Sequence, residues 1–163
     1  MKREIICNTG PILGFAIIGR LDLFRDLFDD VFVPEEVNEE ILAGGAKGAG
    51  LSSYKKAEWI KVRALSTVLD PLLRTALDRG EASVIGLARE LKVSQVLIDE
   101  RKARRIARSI YGLSVFGSAR MLVEAKRMGL LKNVALALNE MREAGYWIAD
   151  SIVEEALRRA GEA

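Results

Sequence analysis

The chain has 163 residues, 50% of them hydrophobic, and 25 basic against 23 acidic side chains give a formal net charge of +2, so one globular domain over 1–163 with a sizeable core is expected. Histidine is absent and cysteine occurs once, as Cys7, which excludes histidine general bases, Ser-His-Asp triads, the usual zinc sites and a disulfide framework. Any chemistry must therefore run on carboxylates, hydroxyls or amines, and the near-neutral balance is uninformative about partners until the charges are placed along the chain.

Short β-branched runs alternate with helical patterns, which is how parallel strands joined by crossover helices read. EIIC (4–7) is the first expected strand, holding the lone Cys7 in an apolar run that suits a reducing interior. Helices are expected at 10–18 and 21–27, a turn at Asp29-Asp30, the strand VFV (31–33) and a helix at 34–42. The glycine-rich stretch 43–53 is expected to carry the least structure and to move. Then come the strand WIKV (59–62), helices at 70–78 and 81–91, the strand VLI (96–98) and a helix at 100–111. A turn at Gly112, the strand SVF (114–116) and helices at 118–128, 133–144 and 150–159 complete the chain. The expected fold class is α/β, a three-layer α/β/α sandwich around a central parallel sheet. No apolar run approaches the ~18 residues of a membrane span, and the N-terminus lacks a signal-type hydrophobic region, so a cytoplasmic protein without membrane contact is expected.

Ligands of parallel sheets gather at the carboxyl ends of strands, where loops leave and helix N-termini point the same way. Asn8-Thr9 follows the first strand and Asp99-Glu100 follows VLI, each opening a helix. Either pair has a bland alternative, since Asn, Thr and Asp are ordinary helix caps. Glu40 lies three residues after Val37 and one before Ile41, beside the inward stripe of its helix, with Glu36 and Glu39 turned farther toward solvent. Glu81 shares a helical face with Val84, Ile85 and Ala88, unless it merely complements the helix dipole. Together Asn8, Glu40, Glu81 and Asp99 form an all-oxygen constellation, and hard oxygen donors select Mg²⁺ or Mn²⁺. Water activated by such a cation, with phosphate oxygens clamped beside it, matches phosphodiester hydrolysis.

Arg101, Arg104, Arg105 and Arg108 follow at i, i+3, i+4 and i+7, one helical face directly after Asp99 along which a phosphate backbone could run. A solvated face or ion pairs with helical acids is the alternative. Arg120, Lys126, Arg127 and Lys132 would extend this surface, whereas Trp59 and Trp147 read more simply as core or interface aromatics than as base-stacking platforms. Tyr146, Trp147 and Ile148 would be exposed unless they pack on the sheet or against a second subunit, so a homodimer is expected.

Four segments, NTGPILGFAIIGRLDLF, VFVPEEVNEEIL, LDRGEASVIGLARELKVSQVLIDERKARRIARSIYGLSVFGSARMLVEAKRMGLL and MREAGYWIADSIVEEAL, make the chain resemble the PIN-domain superfamily. Within it the likeness is to DUF3368-type, VapC-toxin-like proteins, over nearly the whole chain. The resemblance implies an Mg²⁺- or Mn²⁺-dependent ribonuclease, with Glu40, Glu81 and Asp99 on the family's acidic positions and Ser118 on a small polar position near them. It also implies RNA as substrate, an antitoxin protein as a partner, and Thr9 and Ser118 orienting water or phosphate. Catalytic PIN domains generally carry aspartate where this chain has Asn8, which would weaken metal binding. A catalytically silent RNA-binding module is therefore the competing expectation; a nucleotide binder ranks last, because no GxGxxG or P-loop follows any strand.

Overall fold

The computed structural model describes residues 2–44 and 50–163. Among them, five strands form one all-parallel sheet: β1 (Glu4–Cys7), β2 (Asp30–Pro34), β3 (Lys61–Arg63), β4 (Gln95–Leu97) and β5 (Ser114–Phe116), in the order β3-β2-β1-β4-β5. Between and after the strands run α1 (Thr9–Ile17), α2 (Asp22–Leu27), α3 (Glu35–Leu42), α4 (Leu51–Lys56), α5 (Pro71–Ala76) and α6 (Arg79–Leu91). The remaining helices are α7 (Arg101–Ser109), α8 (Ser118–Arg127), α9 (Val134–Glu143) and α10 (Asp150–Arg159). None of them is long and apolar enough to cross a membrane.

Strands covered by helices on both faces must be apolar on both faces, and β1 shows it: Ile5, Ile6 and Cys7 are completely buried, as are Val96 and Leu97 in β4. Burying each such aliphatic side chain contributes about 1.5–3 kcal/mol, so the two central strands anchor the core. Burial also pushes the Cys7 thiol far above its ordinary pKa, which makes it a packing residue without nucleophilic character. The edge strand β3 exposes Arg63, a charge that discourages pairing with another chain.

The strand order reverses at β1 and β4. Chain segments leaving these two neighbours wind in opposite directions, so right-handed crossovers send α1 and α7 to opposite faces of a three-layer α/β/α sandwich. The crevice opened at their carboxyl ends is the place where such sheets bind ligands. Cys7 pairs with Leu97 there, and the backbone N–H of Asn8 donates to the Leu97 carbonyl at 3.0 Å, which puts Asn8 and Asp99 at neighbouring corners of one edge.

Three local expectations are corrected. Asp30 is the first residue of β2 and is buried, because Lys61 Nζ stands 2.6 Å from its carboxylate and holds its pKa below the usual range. The stretch 43–53 contains a helix: α4 begins at Leu51 and is tied down by buried Tyr54, whose hydroxyl donates to Asn38 Oδ1 at 2.7 Å. Residues 45–49 of that stretch lie outside the described residues. In α3 it is Glu36 that is half-buried, with Oε1 enclosed and unpaired among the described residues, whereas Glu40 is exposed like Glu39. The eight-residue helix buries only Val37 and Ile41, so its apolar stripe is too narrow to fix the phase of the acids beside it.

Candidate functional site

The capping alternative for Asn8 and Asp99 is settled by where the caps are. Asn8 occupies the N-cap position of α1 yet makes no side-chain hydrogen bond to the helix. At α7 the cap is Glu100, whose oxygens accept from Lys102 N at 3.0 Å and Ala103 N at 2.7 Å. Asn8 thus leaves α1 without a side-chain cap, and Asp99 is relieved of capping α7.

Asn8 turns toward the first turn of α6. A Cβ built on Gly80 would lie 3.4 Å from Asn8 Oδ1, 3.6 Å from Asp78 Oδ1 and 3.8 Å from Glu40 Oε2. The missing side chain of Gly80 thus leaves a small cradle walled by three oxygens from three different elements. Glu81 stands next to it in a capping box: Asp78 Oδ1 accepts from Glu81 N at 2.8 Å, and Glu81 Oε1 accepts from Asp78 N at 3.3 Å. Desolvation, then the nearby charge of Asp78 and further off that of Glu100, push the Glu81 carboxyl up to about 7.

Asp99, at the neighbouring corner, is held in a nest of donors. Its Oδ1 accepts from Ser118 N at 2.7 Å, and its Oδ2 accepts from Ser118 Oγ at 2.5 Å and from the Tyr146 hydroxyl. Burial beside that carboxylate drives the Tyr146 phenol far above its ordinary pKa, so it is a permanent donor. Tyr146 reaches Asp99 by lying across α1 where two glycines stand four apart: a Cβ on Gly10 would meet its hydroxyl at 2.9 Å, and one on Gly14 its Cδ2 at 2.9 Å. Gly14→Ala is therefore expected to destabilise the fold by about 1–3 kcal/mol despite the better helix propensity of alanine. In a Tyr146→Ala background the same change should be neutral or stabilising; thermal unfolding of the four proteins of this cycle measures the coupling.

Ser118 was expected to touch nucleic acid but is completely buried behind Asp99, its hydroxyl spent on holding that carboxylate. Thr9 is also buried, its Oγ1 without a partner among the described residues, and so it offers no surface to a substrate. Among the described residues no three Asp, Glu or Cys side chains approach closely enough to enclose an ion by themselves. The donors nevertheless suit a hard divalent cation: the cradle at Gly80 is oxygen-walled, and the like charges of Asp78 and Glu100 act on Glu81 beside it. Asp78, Glu100 and Tyr146 are the residues that sequence reasoning missed at this site.

The arginines form a face beside it. Arg101, Arg104, Arg105 and Arg108 line a groove of about 840 Å³ together with Arg120 of α8 and Arg159 of α10, and Asp99 is at its wall. Among the described residues none of the first five is within ion-pairing distance of a carboxylate, so the face is not a set of structural ion pairs. Arg104 is half-buried and donates to the Ile98 carbonyl at 2.8 Å. Burial lowers its pKa, an effect that Asp99 opposes and Arg108 and Arg120 reinforce. Lys126 and Arg127 do not extend the groove, being paired with Glu162 and Glu124 at 2.8 and 2.6 Å.

No curated protein and no solved structure matches the chain at a significant level. A family model described as DUF3368, PIN domain, matches residues 4–162. With the reversed strand order, the acids on its edge and almost every residue inside that match, the chain belongs to the DUF3368 family of PIN domains.

Proposed function

We propose that the chain is a divalent-metal-dependent ribonuclease that hydrolyses RNA phosphodiester bonds at the carboxyl edge of β1 and β4. PIN domains are nuclease-like and generally use divalent ions. The observation that carries the finer reading is the convergence of Asn8 Oδ1 and Glu40 Oε2 on the space left by Gly80, directly beside a Glu81 that burial and like charge strain.

Asn8, Glu40, Glu81 and Asp99 would hold the cation, Mg²⁺ or Mn²⁺, with Asp78 adding negative field from its cap position. When bound, it supplies Lewis acidity that lowers the pKa of water and offsets charge on phosphate oxygens. The protein supplies orientation: Ser118 and Tyr146 fix the Asp99 carboxylate from behind, as outer hydrogen-bond donors do for metal-binding carboxylates. The unpaired arginines hold the scissile strand by its phosphates. As the toxin of a toxin–antitoxin pair, the site would be silenced by an antitoxin segment that places a basic side chain between Glu81 and Glu100.

The test is a panel of single-stranded and structured RNAs incubated with Mn²⁺, Mg²⁺ or EDTA; cleavage that needs metal supports the reading, and cleavage unaffected by EDTA or absent throughout sinks it. One observation favours a binding module instead: Asn8 brings an amide where a carboxylate would bring charge. Adding that charge is expected to strengthen Mn²⁺ binding about tenfold or more, since a unit charge at contact distance is worth several kcal/mol even with partial screening. Calorimetric titration of wild type and Asn8→Asp checks this, and equal affinities would remove Asn8 from the ligand set.

A further inference from the structure

Trp147, expected to be a core or interface aromatic, is not in the core. It is 70% exposed, on the short link between α9 and α10, and it lines the same groove as the arginines and Asp99. Trp59, by contrast, is half-buried under Arg25, 5.7 Å from its ring. An exposed tryptophan is costly to keep in water, so its surroundings should say what it is for.

Those surroundings hold the ring still. The Arg142 guanidinium lies 4.9 Å from the Trp147 centroid, and Arg142 is itself fixed by two hydrogen bonds to the Ile148 carbonyl, at 3.1 and 2.5 Å, and by Asp150 Oδ1 at 2.7 Å. One side of the indole is backed by an immobilised cation and the rest is open, so stacking a second planar group there costs little ordering entropy. Ile152, 49% exposed, continues the apolar wall, while Arg101, Arg105, Arg108 and Arg120 stand without carboxylate partners among the described residues. Glu155, the acid of this wall, is already paired with Arg159 at 2.8 Å. The groove therefore offers phosphate-binding cations, an apolar strip and one rigid aromatic platform, and it runs to Asp99.

We propose that this groove between α7, α8 and α10 seats single-stranded RNA, with one unpaired base stacked on Trp147 and the neighbouring phosphates held by Arg101, Arg105, Arg108 and Arg120. The inference rests on the ribonuclease reading for the choice of RNA and adds Trp147 as a base-stacking residue outside the oxygen site. Single strands are selected because only an unpaired base presents its π-face to a side chain; in a duplex that face is covered by the next base pair. The arginines alone would grip either form, so they give affinity and Trp147 gives the discrimination.

Fluorescence anisotropy in EDTA, where the oxygen site cannot cut, measures binding of the full chain to a short labelled single-stranded RNA and to the same strand annealed to its complement. The single strand is expected to bind at least about tenfold more tightly. Trp147→Ala is expected to weaken single-strand binding by about five- to a hundredfold, the usual range for losing one base–aromatic stack, and to leave duplex binding unchanged. Trp147→Phe should recover part of the loss. The Arg105→Ala, Arg108→Ala double variant should weaken both forms and flatten the salt dependence. Equal affinity for single strand and duplex, or single-strand binding indifferent to Trp147→Ala, overturns the proposal. So does a poly-glutamate peptide that displaces RNA and depends on Trp147 to do so, because the groove would then be a seat for acidic protein. Binding in EDTA reports the groove alone, so a missing stack and a missing nuclease activity give separate results.

Discussion

Asp99→Asn is expected to leave the fold intact and to abolish metal-dependent RNA cleavage, by roughly 10²–10³-fold or more, the order of loss when one preorganised charged group is removed from a phosphoryl site. The argument turns on the donors around it. Ser118 N must donate, and it can do so to the Asn Oδ1 as it does to Asp99 Oδ1 at 2.7 Å. The other two partners, Ser118 Oγ and the Tyr146 hydroxyl, both donate to Asp99 Oδ2, which becomes an NH₂ in asparagine, so both lose that acceptor. Asparagine therefore keeps one of the three hydrogen bonds and alanine none, and losing the acceptor of buried Ser118 Oγ is expected to lower stability by about 1–3 kcal/mol in either variant. What asparagine removes is the charge of Asp99, at the same carboxyl edge of the sheet as Asn8, which carries none. Cleavage assays in Mn²⁺ alongside thermal unfolding separate the two effects. Full activity in a folded Asp99→Asn protein would mean that Asp99 serves the packing of Tyr146 and not the chemistry.

The sheet was legible because parallel strands are buried on both faces and so appear as unbroken apolar runs; EIIC and SVF coincide with β1 and β5 at both ends. The arginine face was legible because helical periodicity places i, i+3, i+4 and i+7 together, and all four of those side chains line one groove. The acids were harder, since a carboxylate's position in sequence does not say which way its side chain turns. Asp99 and Glu100 both precede α7, only one can cap it, and the backbone gives that task to Glu100. Two missed residues did leave signals. Asp78-Arg79-Gly80-Glu81 has capping-box spacing, which starts α6 two residues earlier than apolar periodicity alone suggests. Gly10 and Gly14, four apart in an otherwise apolar helix, mark a close approach by something large, although nothing in their own segment names Tyr146, which arrives from the far end of the chain. Helix α4 was hidden because LSSYKK is polar apart from Leu51 and Tyr54 and follows a run of glycines.

Glu81→Gln is expected to trade metal binding for stability. The Glu81 carboxyl titrates near about 7 in the folded protein against an ordinary value of 4.5, so its ionised form is the disfavoured one. Below the ordinary value the side chain is neutral whether the chain is folded or not, and the protein has its full stability. As pH rises the unfolded chain ionises first, and stability drains away until the folded carboxyl has also ionised, above about 7. Glutamine stays neutral at every pH and keeps an oxygen to accept from Asp78 N, so the capping box survives the exchange. In EDTA the variant should match wild type near about pH 4 and exceed it near about pH 8 by about 1–2 kcal/mol, after discounting the displacement for screening at the rim of the site. Added Mn²⁺ should reverse the order at the higher pH, because a cation relieves the repulsion among Glu81, Asp78 and Glu100 only where Glu81 carries its charge. Thermal unfolding of both proteins across pH, with and without Mn²⁺, gives all four comparisons. A variant that gains nothing in EDTA at high pH would show that Glu81 is not held under electrostatic strain, and a variant that Mn²⁺ stabilises as strongly as wild type would show that the cation does not draw on Glu81. Strain released by mutation and by metal at the same residue is the signature expected of a site kept poised for an ion.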